Sequence, residues 1–247
     1  MVYFVGAGPG APDLITVRGQ QLLQKAQLVI YAGSLVNPEL LKNCPADCVV
    51  LNSASMTLDQ VIAAIEGARG QLVVRLHTGD PSIYGAIREQ MDRLRACAIP
   101  FVVVPGVSAF SGAAAALEAE LTLPGVSQSV ILTRMAGRTQ VPAGEELEKL
   151  AAHRATMALY LSAAQTREVC RALMDGGYPK DTPAAIVYKA TWPDEKIVRG
   201  TLETLPERAR GIDKTALIVV GNVLSGEYEL SKLYDPAFSH GFREGTA

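Results

Sequence analysis

Short apolar runs alternate with helix-length periodic segments along the first half of this chain, and that alternation restricts the fold more than any other feature. The runs lie at residues 2–5, 28–31, 49–51, 72–76 and 101–104. Helical patterns fill the gaps at 14–26, 58–68 and 83–95, and an alanine-rich segment at 109–118 follows a Pro-Gly turn. Such repetition predicts βα units wound around a mainly parallel sheet, an α/β fold. The stretch Leu121-Thr122-Leu123-Pro124-Gly125-Val126 is rich in turn formers and reads as a linker. Beyond it the pattern changes. Runs recur at 130–133, 157–161, 185–188, 196–200 and 216–220, two of them flanking Trp192-Pro193-Asp194 like the arms of a hairpin. The second half is therefore expected to hold a mixed sheet, giving domains 1–120 and 121–247. The polar stretch after Glu227 lacks periodicity and is expected to lie over the surface.

Composition excludes several classes of function. The formal charge is −2, from 23 Lys and Arg against 25 Asp and Glu, which gives no electrostatic case for nucleic acid or an anionic membrane as main partner. No apolar run approaches the roughly 18 residues that a spanning helix needs. The amino end begins directly on a strand pattern and lacks the basic region and cleavage site of a signal peptide, so a cytoplasmic location is expected. The 4 cysteines, Cys44, Cys48, Cys97 and Cys170, do not complete a zinc-site pattern and read as reduced structural thiols. No metal is expected.

Three loops follow strands of the first half. Gly6-Ala7-Gly8-Pro9-Gly10-Ala11 places Gly6, Gly8 and Ala11 on the dinucleotide fingerprint. Pro9 and Pro12, however, remove amides that would hold a pyrophosphate, and Tyr31-Ala32-Gly33-Ser34 stands where a ribose-binding acid is required. A nicotinamide enzyme is thus the weaker reading. Asp13 is placed to cap the helix at 14–26 or to touch a ligand. The second loop is His77-Thr78-Gly79-Asp80-Pro81-Ser82-Ile83-Tyr84-Gly85 and the third Pro105-Gly106-Val107-Ser108-Ala109. Together they occupy the carboxyl edge of one open sheet, where doubly wound folds bind ligands.

These three loops, with Leu14-Ile15-Thr16 after the first and Val104 before the third, resemble the tetrapyrrole methyltransferase family over nearly the whole chain. Further segments, Ser34-Leu35-Val36-Asn37-Pro38-Glu39, the run from Glu120 to Gln128, the run from Trp192 to Val198, and Ser231-Lys232-Leu233-Tyr234-Asp235-Pro236, narrow the resemblance to the branch that methylates a corrin-ring precursor. The resemblance implies two αβα domains of the class III methyltransferase architecture with the active site in the trough between them. It also implies S-adenosyl-L-methionine as methyl donor, S-adenosyl-L-homocysteine as product, and a homodimer. By position it assigns cofactor contacts to Pro9, Thr78, Gly79, Asp80, Ile83, Ser108 and Ala109, and to Leu161, Ala190, Ala216 and Leu217 in the later half. From pattern alone Leu161, Ala190 and Leu217 read as core packing.

The residue types suit that chemistry. Glycine turns let backbone amides reach a carboxylate or a purine nitrogen. Asp80 can accept from an ammonium or from a ribose, and Ile83, Ala109 and Leu161 offer an apolar lining. Tyr84 is the candidate catalytic group, as a proton relay or as packing beside the cofactor. A macrocycle with many carboxylate arms needs cations, for which Arg18, Arg134, Arg138 and Lys189 are candidates, each equally readable as a surface charge. A carrier that binds a tetrapyrrole without turnover is the remaining alternative.

Overall fold

The computed structural model describes residues 1–226 and 228–246, and in it each of the ten apolar runs forms a strand. The first half contains β1 (Val2–Gly6), α1 (Val17–Leu23), β2 (Leu28–Tyr31), β3 (Val49–Asn52), α2 (Leu58–Gly67), β4 (Val73–His77), α3 (Ile87–Ala96), β5 (Phe101–Val104) and α4 (Ala109–Ala116). The second contains β6 (Val130–Arg134), α5 (Leu147–Ala151), β7 (Thr156–Tyr160), α6 (Thr166–Asp175), β8 (Pro183–Tyr188), β9 (Lys196–Thr201), α7 (Leu205–Arg208) and β10 (Ala216–Val220).

The chain divides into two compact units, residues 1–116 with 189–196, and residues 117–188 with 197–247. The division precedes the expected linker because residues 117–126 are tied into the second unit. Arg199 donates to the Leu117 carbonyl at 2.7 Å, and the buried Thr156 hydroxyl donates to the Leu121 carbonyl at 2.9 Å.

In the first unit the strand order is β3-β2-β4-β1-β5 and the paired strands run parallel. Successive side chains alternate between two cores, as the strand period of two demands. Val2, Phe4, Leu28, Ile30 and Val73 face α2 and α3, which contribute Val61, Ile62, Ile65 and Leu94. Val5, Val29, Val74 and Leu76 face α1 through Leu23. Burial on both faces is why the inner strands β1, β2 and β4 read as largely apolar runs, whereas the edge strand β3 is mostly exposed.

Helix boundaries differ from the sequence expectation for identifiable reasons. Residues 12–14 form a separate 3-10 turn and Ile15 is extended, so α1 starts only after Thr16, whose Oγ1 accepts from the Gly19 amide at 3.1 Å. Thr16 is the cap; Asp13 is exposed within the 3-10 turn. The helix expected from residue 83 begins at Ile87, because Tyr84 (φ 54°) and Ala86 (φ 49°) are left-handed and cannot join a right-handed helix. Likewise Glu118 (φ 53°) lies beyond the end of α4, and Leu161 (φ 54°) lies beyond β7.

The second unit has the order β6-β7-β10-β8-β9. Its β6 and β7 are parallel, while β10 runs antiparallel to both β7 and β8. One core, including Leu147, Met157, Leu173, Leu205 and Ile218, joins this sheet to α5, α6 and α7. The described residues after 227 are largely exposed, and Arg243 gathers them by donating to the carbonyls of Leu233 and Asp235.

Candidate active site

The connections leaving the adjacent strands β1 and β4 depart over opposite faces, with α1 on one and α3 on the other. This is the switch point at which open α/β sheets receive ligands. Three loops meet there with backbone against backbone. A Cβ on Gly6 would lie 2.5 Å from the Gly106 Cα, and one on Gly106 would lie 2.3 Å from the Gly79 carbonyl oxygen. Any side chain at either position would drive the loops apart. Gly79 and Gly8 exchange hydrogen bonds at 2.8 and 3.3 Å, and the Ala7 amide donates to the His77 carbonyl at 2.7 Å.

Asp80 fastens this junction. Its Oδ2 accepts from the Gly106 amide at 2.8 Å, linking the second loop to the third, and its Oδ1 accepts from the Ser82 amide at 2.8 Å and from the Ser82 hydroxyl. Burial pushes the carboxyl up, but the Ser82 hydroxyl, the Gly106 amide and the Ser82 amide outweigh it and hold it below the usual carboxylate range. Asp80 is thus an ionised brace whose oxygens are already engaged by protein donors. Gly79, which follows Thr78, lies against Ser108 and Ala109 of the third loop, since a Cβ on Gly79 would lie 3.4 Å from the Ala109 nitrogen and 3.6 Å from the Ser108 Cα. Ile83 and the half-exposed Tyr84 follow on a turn in which the Ile83 amide donates to the Asp80 carbonyl at 3.2 Å.

The first loop is held by residues that motif reading passed over. Trp192, the chain's 1 tryptophan, donates from Nε1 to the Pro9 carbonyl at 3.1 Å, and Asn37 donates to the Gly10 carbonyl at 2.9 Å. The Ala11 amide donates to Thr191 Oγ1 at 2.9 Å. Gly10 must lack a side chain, because a Cβ would sit 2.0 Å from Trp192 Cδ1 and 2.8 Å from the Ala190 carbonyl oxygen. Buried Pro9 packs against Gly112 of α4. The loop therefore opens no helix and spends its Ala11 amide on the protein, which is unlike a pyrophosphate cradle. A lone tryptophan at a hairpin tip was the available sequence signal.

The model of the tetrapyrrole (corrin/porphyrin) methylases matches residues 1–206. The chain belongs to that family. It is 50% identical to the cobalt-precorrin-4 C(11)-methyltransferase of Methanocaldococcus jannaschii, covering 98% of this chain and 96% of that one. It is 48% identical to the precorrin-4 C(11)-methyltransferase of Mycobacterium tuberculosis, covering 96% of each. A solved cobalt precorrin-4 methyltransferase matches with TM-score 0.88 and 48% identity over 90% of this chain and 95% of that one. The uroporphyrin-III C-methyltransferase of Thermus thermophilus, solved with S-adenosylhomocysteine, matches with TM-score 0.78 and 26% identity over 91% and 98%.

The remaining candidates of this tetrapyrrole methylase are divided between the two units. Leu161 is 70% exposed with a left-handed backbone, so it is not the core residue its pattern suggested. Leu217 and Ala190 are buried, the latter in the first unit. Pairing of Ile218 with Leu159 carries Ala216 toward Leu161, placing both at one sheet edge of their unit. Arg134 donates to the carbonyls of Met135, Thr139 and Gln140 at 3.2, 3.1 and 2.7 Å, shaping the loop that exposes Arg138. Lys189 pairs with Asp194 at 2.7 Å and lies 5.1 Å from the Trp192 ring centroid, and Arg18 is exposed on α1.

His77 carries no charge here. Burial, and then the charge of Arg75, push it down to about 3, and among the described residues its Nε2 meets no hydrogen-bond partner. Burial pushes the Cys44 thiol up to about 11 and Cys170 to about 12, leaving both protonated. Among the described residues no group of three or more His, Cys, Asp or Glu is placed to hold a metal. The site is built mainly of main-chain groups from three loops that are hydrogen-bonded and packed against one another.

Proposed function

We propose that this methylase transfers a methyl group from S-adenosyl-L-methionine to C-11 of precorrin-4, yielding precorrin-5 in cobalamin biosynthesis. The observation that carries the reading is the near-full-length identity to enzymes named for this reaction, joined to the three-loop cradle at the switch point. The cradle lies at the switch point where open α/β sheets receive ligands, and its three loops hold one another in place there. The donor, once bound, supplies an activated methyl group on a positively charged sulfur. The protein then has to align two reactants, which can be worth about 7–11 kcal/mol.

In this reading Pro9, Thr78, Gly79, Ser108 and Ala109 line the donor site, and Asp80 keeps the second and third loops in register. Ile83, Leu161, Ala190, Ala216 and Leu217 exclude water around the adenosine. Tyr84 stands at the turn after the cradle, where its hydroxyl can pass on a proton released from the methylated ring. Arg18, Arg138 and Lys189 bind substrate carboxylates, and Arg134 sets the loop that presents Arg138. The enzyme works in the cytoplasm, in keeping with four free thiols, as a homodimer; sedimentation of a monomer alone at micromolar concentration would remove the latter.

Incubation with S-adenosylmethionine and either metal-free or cobalt-loaded precorrin-4, followed by mass spectrometry, tests the proposal. One added methyl group with stoichiometric S-adenosylhomocysteine is expected, and relatives of both names make either ring a reasonable acceptor. No product with either ring sinks the substrate assignment.

A further inference from the structure

The central strand of the first sheet, β4, carries an arginine where an apolar residue would complete the core. Arg75 is 6% exposed, and in register its neighbours are Phe4 and Ile30. Among the described residues it makes no ion pair within salt-bridge distance of a carboxylate. Its Nη1 donates to the Ile30 carbonyl at 3.1 Å and its Nε to Gln90 Oε1 at 3.0 Å. Burying a guanidinium without a counter-charge is costly, so its retention needs a use that leucine could not serve.

Gln90 indicates that use. It is 6% exposed on α3, and both ends of its amide are engaged. Arginine only donates, so Gln90 must turn its oxygen toward Arg75, and its NH2 is thereby aimed at the Ala86 carbonyl, which it meets at 3.0 Å. Ala86 is the left-handed residue at the start of α3, in a turn that also holds the left-handed Tyr84, and no side chain caps the helix there. Such conformations persist only where the surroundings over-determine them.

We infer that Arg75 and Gln90 are positioning residues, a buried relay that transmits the rigidity of the sheet to the turn bearing Ile83 and Tyr84 and so sets donor binding. The inference rests on the assignment of that turn to the donor site. Neither residue touches the ligand. The relay has one direction, from a fixed donor on β4 through one amide to one carbonyl, so removing the amide frees the turn even where the core stays filled.

The test uses the full chain with S-adenosylhomocysteine as probe, in Gln90→Leu, Gln90→Glu and Leu94→Ala. Leu94 is fully buried on the same helix, so its truncation destabilises the core without reaching the turn. Calorimetry below all melting transitions is expected to show about a tenfold weaker affinity for Gln90→Leu, and Leu94→Ala within about twofold of the parent. Gln90→Glu still accepts from Arg75 but cannot donate to Ala86, and is expected to remain weak. Hydrogen exchange without ligand should accelerate in residues 81–87 for both Gln90 variants, and not in Leu94→Ala. Parent-like affinity in both Gln90 variants, or an equal loss in Leu94→Ala, overturns the relay. If the parent itself fails to bind the probe, the donor-site assignment falls; unchanged exchange in residues 81–87 then overturns the relay separately.

Discussion

Replacing Asp80 by Asn changes one atom of the brace between the second and third loops. Asn keeps the size and leaves one oxygen for Ser82, but turns an NH2 toward the Gly106 amide that now donates to Oδ2 at 2.8 Å. A donor then faces a donor. Loss of a hydrogen bond to a charged group costs about 1.5–3 kcal/mol, and partial exposure of Asp80 to solvent favours the lower end. For a chain of this length that corresponds to a melting temperature lower by roughly 3–12 °C. Because Gly106 also abuts Gly6 and Gly79, S-adenosylhomocysteine affinity should fall in the fraction that remains folded. The pH dependence supplies a second readout. The Asp80 carboxyl is depressed below its ordinary 3.8 when folded, so its contribution is fully present above that value and is lost as pH falls below it. Asp80→Asn should therefore lose stability near neutrality and less additional stability in acid. Differential scanning calorimetry from pH 7 down to pH 3, with titration calorimetry of the ligand, measures all three. Melting within a degree of the parent, with unchanged affinity and an unchanged acid limb, would refute the brace.

Two further outcomes are expected. S-adenosylhomocysteine at a hundredfold excess over its Kd should stabilise the fold by about 2.7 kcal/mol, whereas NADPH should give no thermal shift; the reverse pattern would favour a nicotinamide enzyme. Arg138→Met should raise the KM for the tetrapyrrole and flatten its salt dependence while donor affinity holds, and Arg134→Met should do the same with a looser loop at 135–140, seen as faster hydrogen exchange. Unchanged KM and salt slope in both would return these arginines to the ordinary surface.

The strands, the change from a parallel to a mixed sheet, and the three loops were legible in the sequence because each rests on local pattern. A strand buried on both faces has to be an apolar run, and a loop pressed against another backbone has to contain glycine at the point of approach. The resemblance carried by those loops extended the reading to a family. Other features depend on partners remote in the chain. That Asp80 braces Gly106 depends on a residue 26 positions away, and that Trp192 clasps Pro9 on one 183 positions away. No window of sequence contains both members of either pair. The same holds for Arg75, which reads as an interruption in an apolar run until Gln90 and the Ala86 carbonyl are seen beside it. Left-handed backbones at Tyr84, Ala86 and Leu161 likewise defeated the helix and strand boundaries, since none of these residue types favours that conformation and only surrounding contacts can impose it. Sequence determined which segments become strands and which residue types the loops require; tertiary structure decided which atoms those loops already spend on one another, because hydrogen-bond partners are chosen by proximity in space.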